Sequence, residues 1–295
     1  MKLFEVVFDH KKYRKYVKVC GIPIFQKKNR MQELYETLSG VKEQLKLVTD
    51  IVYTCHKINQ IPPAGGTKRI IQKHALSLLD LVDKICVENG LMYWLDFGSL
   101  IGAIRHSGFI PWDDDIDVCM LRCDYEKILT ILPKKWEADG ISFVVRERLD
   151  DHFQVRLCSC DNSIGLDIFP VDEFSISPRE GAKADIERRI KQAYPKIQQL
   201  SKQKGEFSDL SALRGCIQKI QVEDVLGNDI DKNGDEMLMY GIDYPHTHPE
   251  CILVRNTIFP LRKKIFEGRL CWIPNKPEEH LSSLYGDWMS YPRFI

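Results

Sequence analysis

The sequence predicts an α+β fold in which helices flank a small mixed sheet. Residues 67–90 carry apolar side chains at the spacing of an amphipathic helix and end at Asn89-Gly90, a typical helix stop. The stretches MYWLDFG and DIDVCM then read as two short strands separated by a short helix and a loop. Three further strand-like stretches follow, at 141–147, 152–158 and 164–171. Mixed helix and strand signals followed by successive strands indicate one small sheet with helices packed on it.

Residues 1–66 are predicted to form a basic, largely helical N-terminal segment and linker. The first thirty residues hold nine Lys and Arg against one Glu and one Asp. Apolar residues at three- and four-residue spacing predict a helix over 31–58, and IPPAGG at 61–66 reads as the linker. A basic segment that also carries aromatic residues is typical of contact with an anionic membrane surface, although a solvated basic face explains it as well.

The remaining chain, 67–295, is predicted to be one catalytic domain. A further helix is expected over 124–132, after the second strand. Residues 178–226 are rich in Lys, Gln and Glu in a helical pattern, and a helical insertion is therefore predicted at about 178–250.

Composition excludes some classes of partner. The 295 residues balance 42 basic against 42 acidic side chains, so the chain is not a general binder of polyanions, and no nucleic-acid partner is expected. There is no apolar run of membrane-spanning length and no apolar core of a signal peptide at the start. The ten cysteines are scattered and read as free thiols. We expect a cytoplasmic protein, held at the inner face of the membrane if the basic segment contacts it.

The stretch PWDDDIDV indicates a metal site. On a strand, side chains two positions apart share a face, so Asp115 and Asp117 project together while Ile116 and Val118 face the core. Asp167 lies between apolar neighbours on a later strand, where an unpaired carboxylate would be costly. If the two strands are adjacent, the three carboxylates suit two Mg²⁺ or Mn²⁺ ions and phosphoryl-transfer chemistry. A surface acidic turn is the alternative for Asp115 and Asp117 alone.

Other residues near this loop are candidates for contacts with the nucleotide. Gly98 allows close approach of a phosphate, and Ser99 offers hydrogen-bond donors at the start of a helix. Arg105 and Arg156 suit a diphosphate, although an ion pair with the acidic loop explains Arg105 equally. His106 and Trp112 are candidates for substrate contact, by hydrogen bonding and by stacking, or else they pack the loop.

WLDFGSLIGAIRHSGFIPWDDDIDVCMLRCDYEKI, at 94–128, resembles the signature of the LicD family, and GLDIFPVDEF and IFPLRKKIFEGRLCWIPNKPEEHLSSLYGDWM continue the resemblance more weakly. It implies a nucleotidyltransferase-like fold. By the same resemblance Asp115, Asp117 and Asp167 are metal ligands and catalytic residues, and Gly98 and Ser99 contact donor phosphate. The first 65 residues and the helical stretch 178–250 lie outside the resemblance.

The resemblance implies transfer of a phospho-group, such as phosphocholine or an alditol or ethanolamine phosphate. The donor is CDP-linked, the acceptor is a sugar hydroxyl of a lipid-linked or surface glycan, and CMP leaves. Asp167 is then a candidate for accepting the hydroxyl proton. Two alternatives remain open: transfer of the nucleoside monophosphate itself with release of pyrophosphate, and a non-catalytic component that binds nucleotide or glycan. The leaving product distinguishes the two reactions.

Overall fold

A computed structural model describes residues 4–9, 14–19, 22–28, 30–55, 57–133, 135–138, 140–148, 154–159, 164–178, 180–202, 210–241 and 252–291. The chain divides into two compact units, Met1–Ile61 and Pro62–Ile295. The boundary predicted from sequence, at 66/67, lies five residues after this division. No helix in the described part of the chain combines the length and apolar character that a membrane span requires.

The first unit contains strands as well as a helix. Strands β1 (Phe4–Asp9), β2 (Arg14–Val19) and β3 (Ile22–Lys28) form an antiparallel sheet in that order. Helix α1 (Arg30–Cys55) follows. The prediction of a largely helical segment is therefore wrong for the strands between 4 and 28, where β-branched and aromatic residues favour extended backbone. That prediction depended on charge and aromatic content, and it did not take into account the short strand-like stretches between the lysines.

The second unit contains the predicted α+β architecture, which is confirmed. Its strands are β4 (Trp94–Leu95), β5 (Asp115–Leu121), β6 (Lys135–Ala138), β7 (Ile141–Arg148), β8 (Gln154–Ser159), β9 (Gly165–Ile176), β10 (Asp235–Tyr240), β11 (Ile252–Val254), β12 (Arg262–Phe266) and β13 (Arg269–Ile273). Its helices are α2 (Gly66–Asn89), α3 (Phe97–Arg105), α4 (Arg122–Ile131), α5 (Ala182–Lys202), α6 (Leu210–Ile220), α7 (Arg255–Ile258) and α8 (Pro277–Tyr285).

The long strand β9 organises the main sheet. β8 pairs with one edge of it, and β5 and β10 share the other edge, β5 along the first half and β10 along the second. The β5–β9 pairing is parallel, whereas the pairings of β9 with β8 and β10 are antiparallel. A parallel pair needs a long crossover, and α4 with β6 to β8 lies in the chain between these two strands.

The two faces of β5 and β9 differ. Ile116, Val118 and Met120 of β5, with Leu166 and Ile168 of β9, are buried in one apolar cluster together with side chains of α2. The opposite face begins with carboxylates and becomes apolar further along, where Cys119, Phe169 and Val171 join a second cluster. The change from polar to apolar along this face locates a functional site at its acidic end.

The predicted helical insertion at about 178–250 is only partly helical. Helices α5 and α6 occupy its first half and pack in one apolar cluster with Ile176 of β9, Met239 of β10 and Ile252 of β11. β10, however, pairs with β9 and extends the main sheet, so the insertion ends before Asp235. The prediction is wrong there because the helical composition stops at Leu226, and DEMLMY carries the apolar side chains of a strand. Residues 242–250 lie outside the described residues.

Gly102 provides a test of the packing of α3. A Cβ at this position would lie 2.4 Å from the carbonyl oxygen of Gly108, and a backbone atom yields little. We expect Gly102→Ala to lower the free energy of unfolding by about 1–3 kcal/mol through overpacking. Denaturant titration of the folded chain measures it.

Gly215→Ala is the matched control, because no atom lies within 4 Å of a Cβ placed on that residue of α6. Alanine is the better helix former, so this variant should gain up to about 1 kcal/mol. Equal losses in both variants would show that the close approach at Gly102 does not matter.

Candidate active site

Three carboxylates meet at the acidic end of the site face. Asp117 of β5 and Asp167 of β9 are register partners across the parallel pairing, and Asp115 precedes Asp117 on the same face. Oxygen atoms from all three residues lie within 4.8 Å of one another. The predicted adjacency of the two strands is therefore present, and with it the predicted cluster of Asp115, Asp117 and Asp167.

Arg156 reaches this cluster from the neighbouring strand. It is the register partner of Asp167 on β8, and its Nη1 lies 2.9 Å from Oδ2 of Asp167 and 3.8 Å from Oδ2 of Asp115. A Cβ on Gly165 would lie 2.3 Å from Nη2 of Arg156, so the absence of a side chain at 165 makes room for the guanidinium. In this structure Arg156 supplies counter-charge to the carboxylates, whereas the sequence predicted contact with nucleotide.

The start of α3 forms the second wall. A Cβ on Gly98 would lie 2.6 Å from Oδ2 of Asp113 and 3.7 Å from Oδ2 of Asp117, so only glycine leaves the acidic side chains in place. The Ser99 Oγ accepts a hydrogen bond of 2.9 Å from the Asp117 backbone N–H and so fixes β5 against α3. The helix N-terminus also directs its positive dipole end toward the carboxylates.

Helix α2 holds the acidic loop from the other side. The buried amide of Gln72 donates to the carbonyl oxygen of Asp113 at 2.9 Å. The Lys68 ammonium pairs with Asp114 at 2.7 Å. Asp114 is therefore turned toward α2, and the loop is tied to a buried helix at two successive residues.

Burial and mutual repulsion perturb the carboxylates. Burial raises the pKa of Asp113 to about 7, and the neighbouring charge of Asp115 adds to this effect. Burial, followed by repulsion from Asp115, Asp167 and Asp113, holds the pKa of Asp117 well above its usual range. Carboxylates in such surroundings resist ionisation unless a cation joins them.

The donor set fits a hard divalent cation. The three ionised carboxylates and one Arg156 guanidinium leave a formal charge of −2, which is the charge that one divalent cation balances. Burial is the main cause of the raised pKa values of Asp113 and Asp117, and the negative charge of the neighbouring carboxylates adds to it. Carboxylate oxygens gathered this closely are the ligands that Mg²⁺ and Mn²⁺ prefer.

A cavity of about 480 Å³ lies along α3 beyond the carboxylates. Arg105 and Trp112 line it, together with Tyr285, Asp287 and Trp288 from the end of the chain. Ile101, on the same helix stripe as Gly98, also lines it. Trp112 directly precedes Asp113 in the chain, and the side chains of Asp115, Asp117 and Asp167 do not line the cavity.

Arg105 is fixed inside this cavity. Its Nη1 donates to the backbone oxygen of Trp288 at 2.6 Å, and its guanidinium lies 6.0 Å from the centre of the Trp112 ring. Burial lowers the pKa of Arg105 to about 10, so it remains a cation at neutral pH. His106 caps the end of α3 and contacts Arg105 Nε at 3.4 Å, and it is absent from the residues lining the cavity.

Comparisons with known proteins match this site region. Residues 90–212 match the family model described as LicD/FKTN/FKRP, nucleotidyltransferase domain. The resemblance to the LicD family is confirmed. The lipopolysaccharide cholinephosphotransferase LicD of Haemophilus influenzae is 28% identical over 261 residues, covering 77% of this chain and 92% of that protein.

Two further relatives match shorter parts of the chain. Human FKRP, a ribitol 5-phosphate transferase, is 59% identical over 29 residues, which are 10% of this chain and 6% of that protein. Mouse FKTN, a ribitol-5-phosphate transferase, is 28% identical over 135 residues, or 43% and 27% of the two chains. The matched part of the chain is thus similar to phosphotransferases from a bacterium and from mammals.

Sequence reasoning missed a buried carboxylate, Asp96, beside this site. Asp96 caps α3 by accepting from the Phe97 N–H at 2.8 Å, and it also accepts from Trp94 Nε1 at 3.1 Å and Tyr240 OH at 3.0 Å. In addition, Nε2 of His280 lies 2.7 Å from Oδ1 of Asp96. His280 and the Phe97 N–H hold the Asp96 pKa below its usual range despite the opposing effect of burial.

The signal for Asp96 was present in WLDFGS. An aspartate between Leu95 and Phe97 must be costly unless it is paired, the same argument that identified Asp167. Phe97 has a φ of 48°, a backbone conformation that a bulky residue adopts only when its surroundings enforce it. Asp96 therefore positions the Gly98-Ser99 turn without lining the site.

Asp96→Asn should lower the free energy of unfolding by about 3–5 kcal/mol, because it leaves the buried His280 and three donors without a carboxylate. Denaturant titration at neutral pH measures this loss. Since the Asp96 pKa is lowered in the folded protein, the stabilisation from its ionised form is present above the usual carboxyl pKa of 3.8 and is lost as the pH falls below it.

Asp83→Asn is the control. The Asp83 side chain accepts one hydrogen bond, from Tyr93 OH at 2.9 Å, at a partly buried position. We expect a loss of about 1 kcal/mol. A loss of this size in Asp96→Asn would show that the buried network is dispensable.

Proposed function

We propose that this protein is a metal-dependent phosphotransferase that moves a phospho-group from a CDP-linked donor to a sugar hydroxyl of a cell-surface glycan. The carboxylate cluster of Asp115, Asp117 and Asp167 inside the matched LicD domain carries this proposal. Relationship to LicD over 92% of that protein supports a glycan phosphotransferase. Lipopolysaccharide, capsule and teichoic-acid glycans are the acceptor classes that we consider.

The three aspartates are the residues that would hold one or two Mg²⁺ ions. Bound there, the metal would neutralise charge on the donor diphosphate and lower the pKa of the attacking sugar hydroxyl. Gly98 lets the backbone at the start of α3 lie close to the carboxylates of Asp113 and Asp117, and the N-terminal end of this helix favours negative charge on a phosphate bound there. Because Arg156 already pairs with Asp167, we infer that Asp167 acts as a metal ligand and not as the acceptor of the hydroxyl proton.

We assign the cavity along α3 to the transferred group. Arg105 supplies a fixed positive charge for a phosphate, while the rings of Trp112, Tyr285 and Trp288 and the carboxylate of Asp287 suit a cationic headgroup. This lining favours a zwitterionic phospho-group over an alditol phosphate, which carries the phosphate charge but no cation. Phosphocholine and phosphoethanolamine are both such groups, and the similarity to a cholinephosphotransferase makes choline our preferred headgroup, ahead of ethanolamine, glycerol and ribitol.

We further propose that the basic residues before β3 hold the enzyme near the cytoplasmic face of the membrane, where a lipid-linked acceptor is made. The excess of Lys and Arg in the first thirty residues supports this location. Binding to vesicles with and without anionic lipid tests it.

The released nucleotide tests the reaction. Purified protein is incubated with Mg²⁺ and, separately, CDP-choline, CDP-glycerol, CDP-ribitol or CTP, with a crude glycan acceptor. We expect CMP from CDP-choline, and a rate at least about a hundredfold lower in Asp115→Asn. Asp80→Asn, which makes the same change at an exposed ion pair with Arg269, should retain the rate. Pyrophosphate from CTP would favour nucleotidyl transfer, and no release from any donor would favour a binding protein.

Asp117→Asn separates stability from metal binding. A raised Asp117 pKa means that ionisation costs folding energy, and this cost appears as the pH rises from about 3.8 through the raised pKa. Without metal at neutral pH, we therefore expect Asp117→Asn to be more stable than the parent chain by about 0.5–2 kcal/mol, and equally stable near pH 4. Thermal melting with and without EDTA measures both states.

Adding Mg²⁺ should raise the melting temperature of the parent chain and leave that of Asp117→Asn unchanged, because one ligand is missing. Asp80→Asn should respond to Mg²⁺ as the parent does. An equal response in Asp117→Asn would place the cation elsewhere.

A further inference from the structure

Helix α1 carries a heptad pattern. Its apolar residues alternate in spacing between three and four positions over three and a half heptads: Met31, Leu34, Leu38, Val41, Leu45, Val48, Val52 and Cys55. These are the a and d positions of a coiled coil. We propose that α1 pairs with α1 of a second copy of this chain and so makes the protein an oligomer.

The described part of this stripe is exposed in the single chain. Leu34, Leu38, Val41 and Val48 are 51%, 56%, 46% and 59% exposed. Single exposed leucines are ordinary on protein surfaces, but a continuous row along one helix marks an interaction surface. The row gains apolar burial only when something packs along it.

The width of the stripe favours another helix as the occupant. Over the first two heptads, 31–44, the aliphatic residues occupy only the a and d positions, which is the narrow seam of a coiled coil, whereas a helix packed on a sheet presents a wider face. Most charges of α1 lie away from the seam at the outer heptad positions, with Arg30 and Lys42 as the exceptions: Glu33, Glu36, Glu43, Lys46 and Asp50.

A second copy of α1 satisfies the flanking positions. In a parallel, in-register pair, Thr37 faces Lys42 and Gln44 faces Thr49 of the other copy, so no like charges meet. A membrane is a poorer occupant, because α1 carries four acidic and three basic residues and an anionic surface would not attract it.

The size of the seam is adequate for stable association. The 26 residues of α1 give a helix of about 39 Å. Burying eight side chains at the a and d positions removes roughly 500–1,000 Å² of apolar surface per helix, comparable with the ~800 Å² per partner of a standard interface. The two central heptads carry leucine at a and the β-branched valine at d, and leucine at a with a β-branched isoleucine at d favours three or four strands, so masses above a dimer support the proposal equally.

Analytical ultracentrifugation of the full chain over a wide concentration range tests the proposal. We expect the parent protein to sediment as an oligomer and Leu38→Glu/Val41→Glu to sediment as a monomer. Leu47→Glu is the matched control, because Leu47 is also apolar and 61% exposed but lies outside the seam, at position c. That variant should keep the parent mass.

Circular dichroism shows whether each variant keeps its helices. Val41→Thr, which adds a hydroxyl to the seam with little change in shape, should raise the dissociation constant even if the double variant unfolds. A monomeric parent protein at every concentration would overturn the proposal, as would an unchanged mass in both seam variants. A monomeric parent that sediments with anionic vesicles, when Leu38→Glu/Val41→Glu does not, would identify a membrane as the occupant of the seam and overturn the proposal too.

Discussion

Repulsion between carboxylates held in strand register is the constraint around which the second unit is arranged. The parallel pairing of β5 with β9 places Asp117 opposite Asp167, and the pleat brings Asp115 to the same face. Neither side chain can turn away, because the other faces of both strands are buried against α2. The surrounding elements therefore supply positive charge: a guanidinium from β8 and the N-terminal end of α3.

The two groups of buried acids in this unit show opposite solutions to the same problem. Asp96 is saturated with donors and paired with His280, so burial does not prevent its ionisation and its pKa is lowered. Asp113 and Asp117 face other carboxylates, and their pKa values are raised. A carboxylate with hydrogen-bond donors and a paired cation, such as Asp96, stabilises the fold. Carboxylates that face one another, such as Asp113 and Asp117, repel until a cation or a proton is added. This contrast separates the structural carboxylate from the ones proposed to act in chemistry.

Local sequence patterns were sufficient to predict β5 and β9, the two strands that carry the carboxylate cluster. Period-two alternation at Asp115 and Asp117 and the cost of a lone acid at Asp167 predicted the cluster without knowledge of the pairing. The partnership of Asp96 with His280 joins residues 184 positions apart, so no local pattern contains it. The N-terminal strands were missed because charge outweighed strand propensity in the reading of those residues. β10 was missed because its place in the sheet depends on pairing with β9, and a helical insertion separates these two strands in the chain.

Arg156 and Gly165 show how the register also limits the charge of the site. Arg156 is the partner of Asp167 on β8, while Gly165 lies two residues before Asp167 on β9 and opposite Asp115. Any side chain at 165 would collide with the guanidinium and move it from the carboxylates. With Arg156 in place, the three ionised carboxylates and the guanidinium together carry a formal charge of −2, which one divalent cation balances. Without Arg156 the charge would be more negative by one. The net charge of the site therefore depends on the absence of a side chain at 165 as well as on the aspartates.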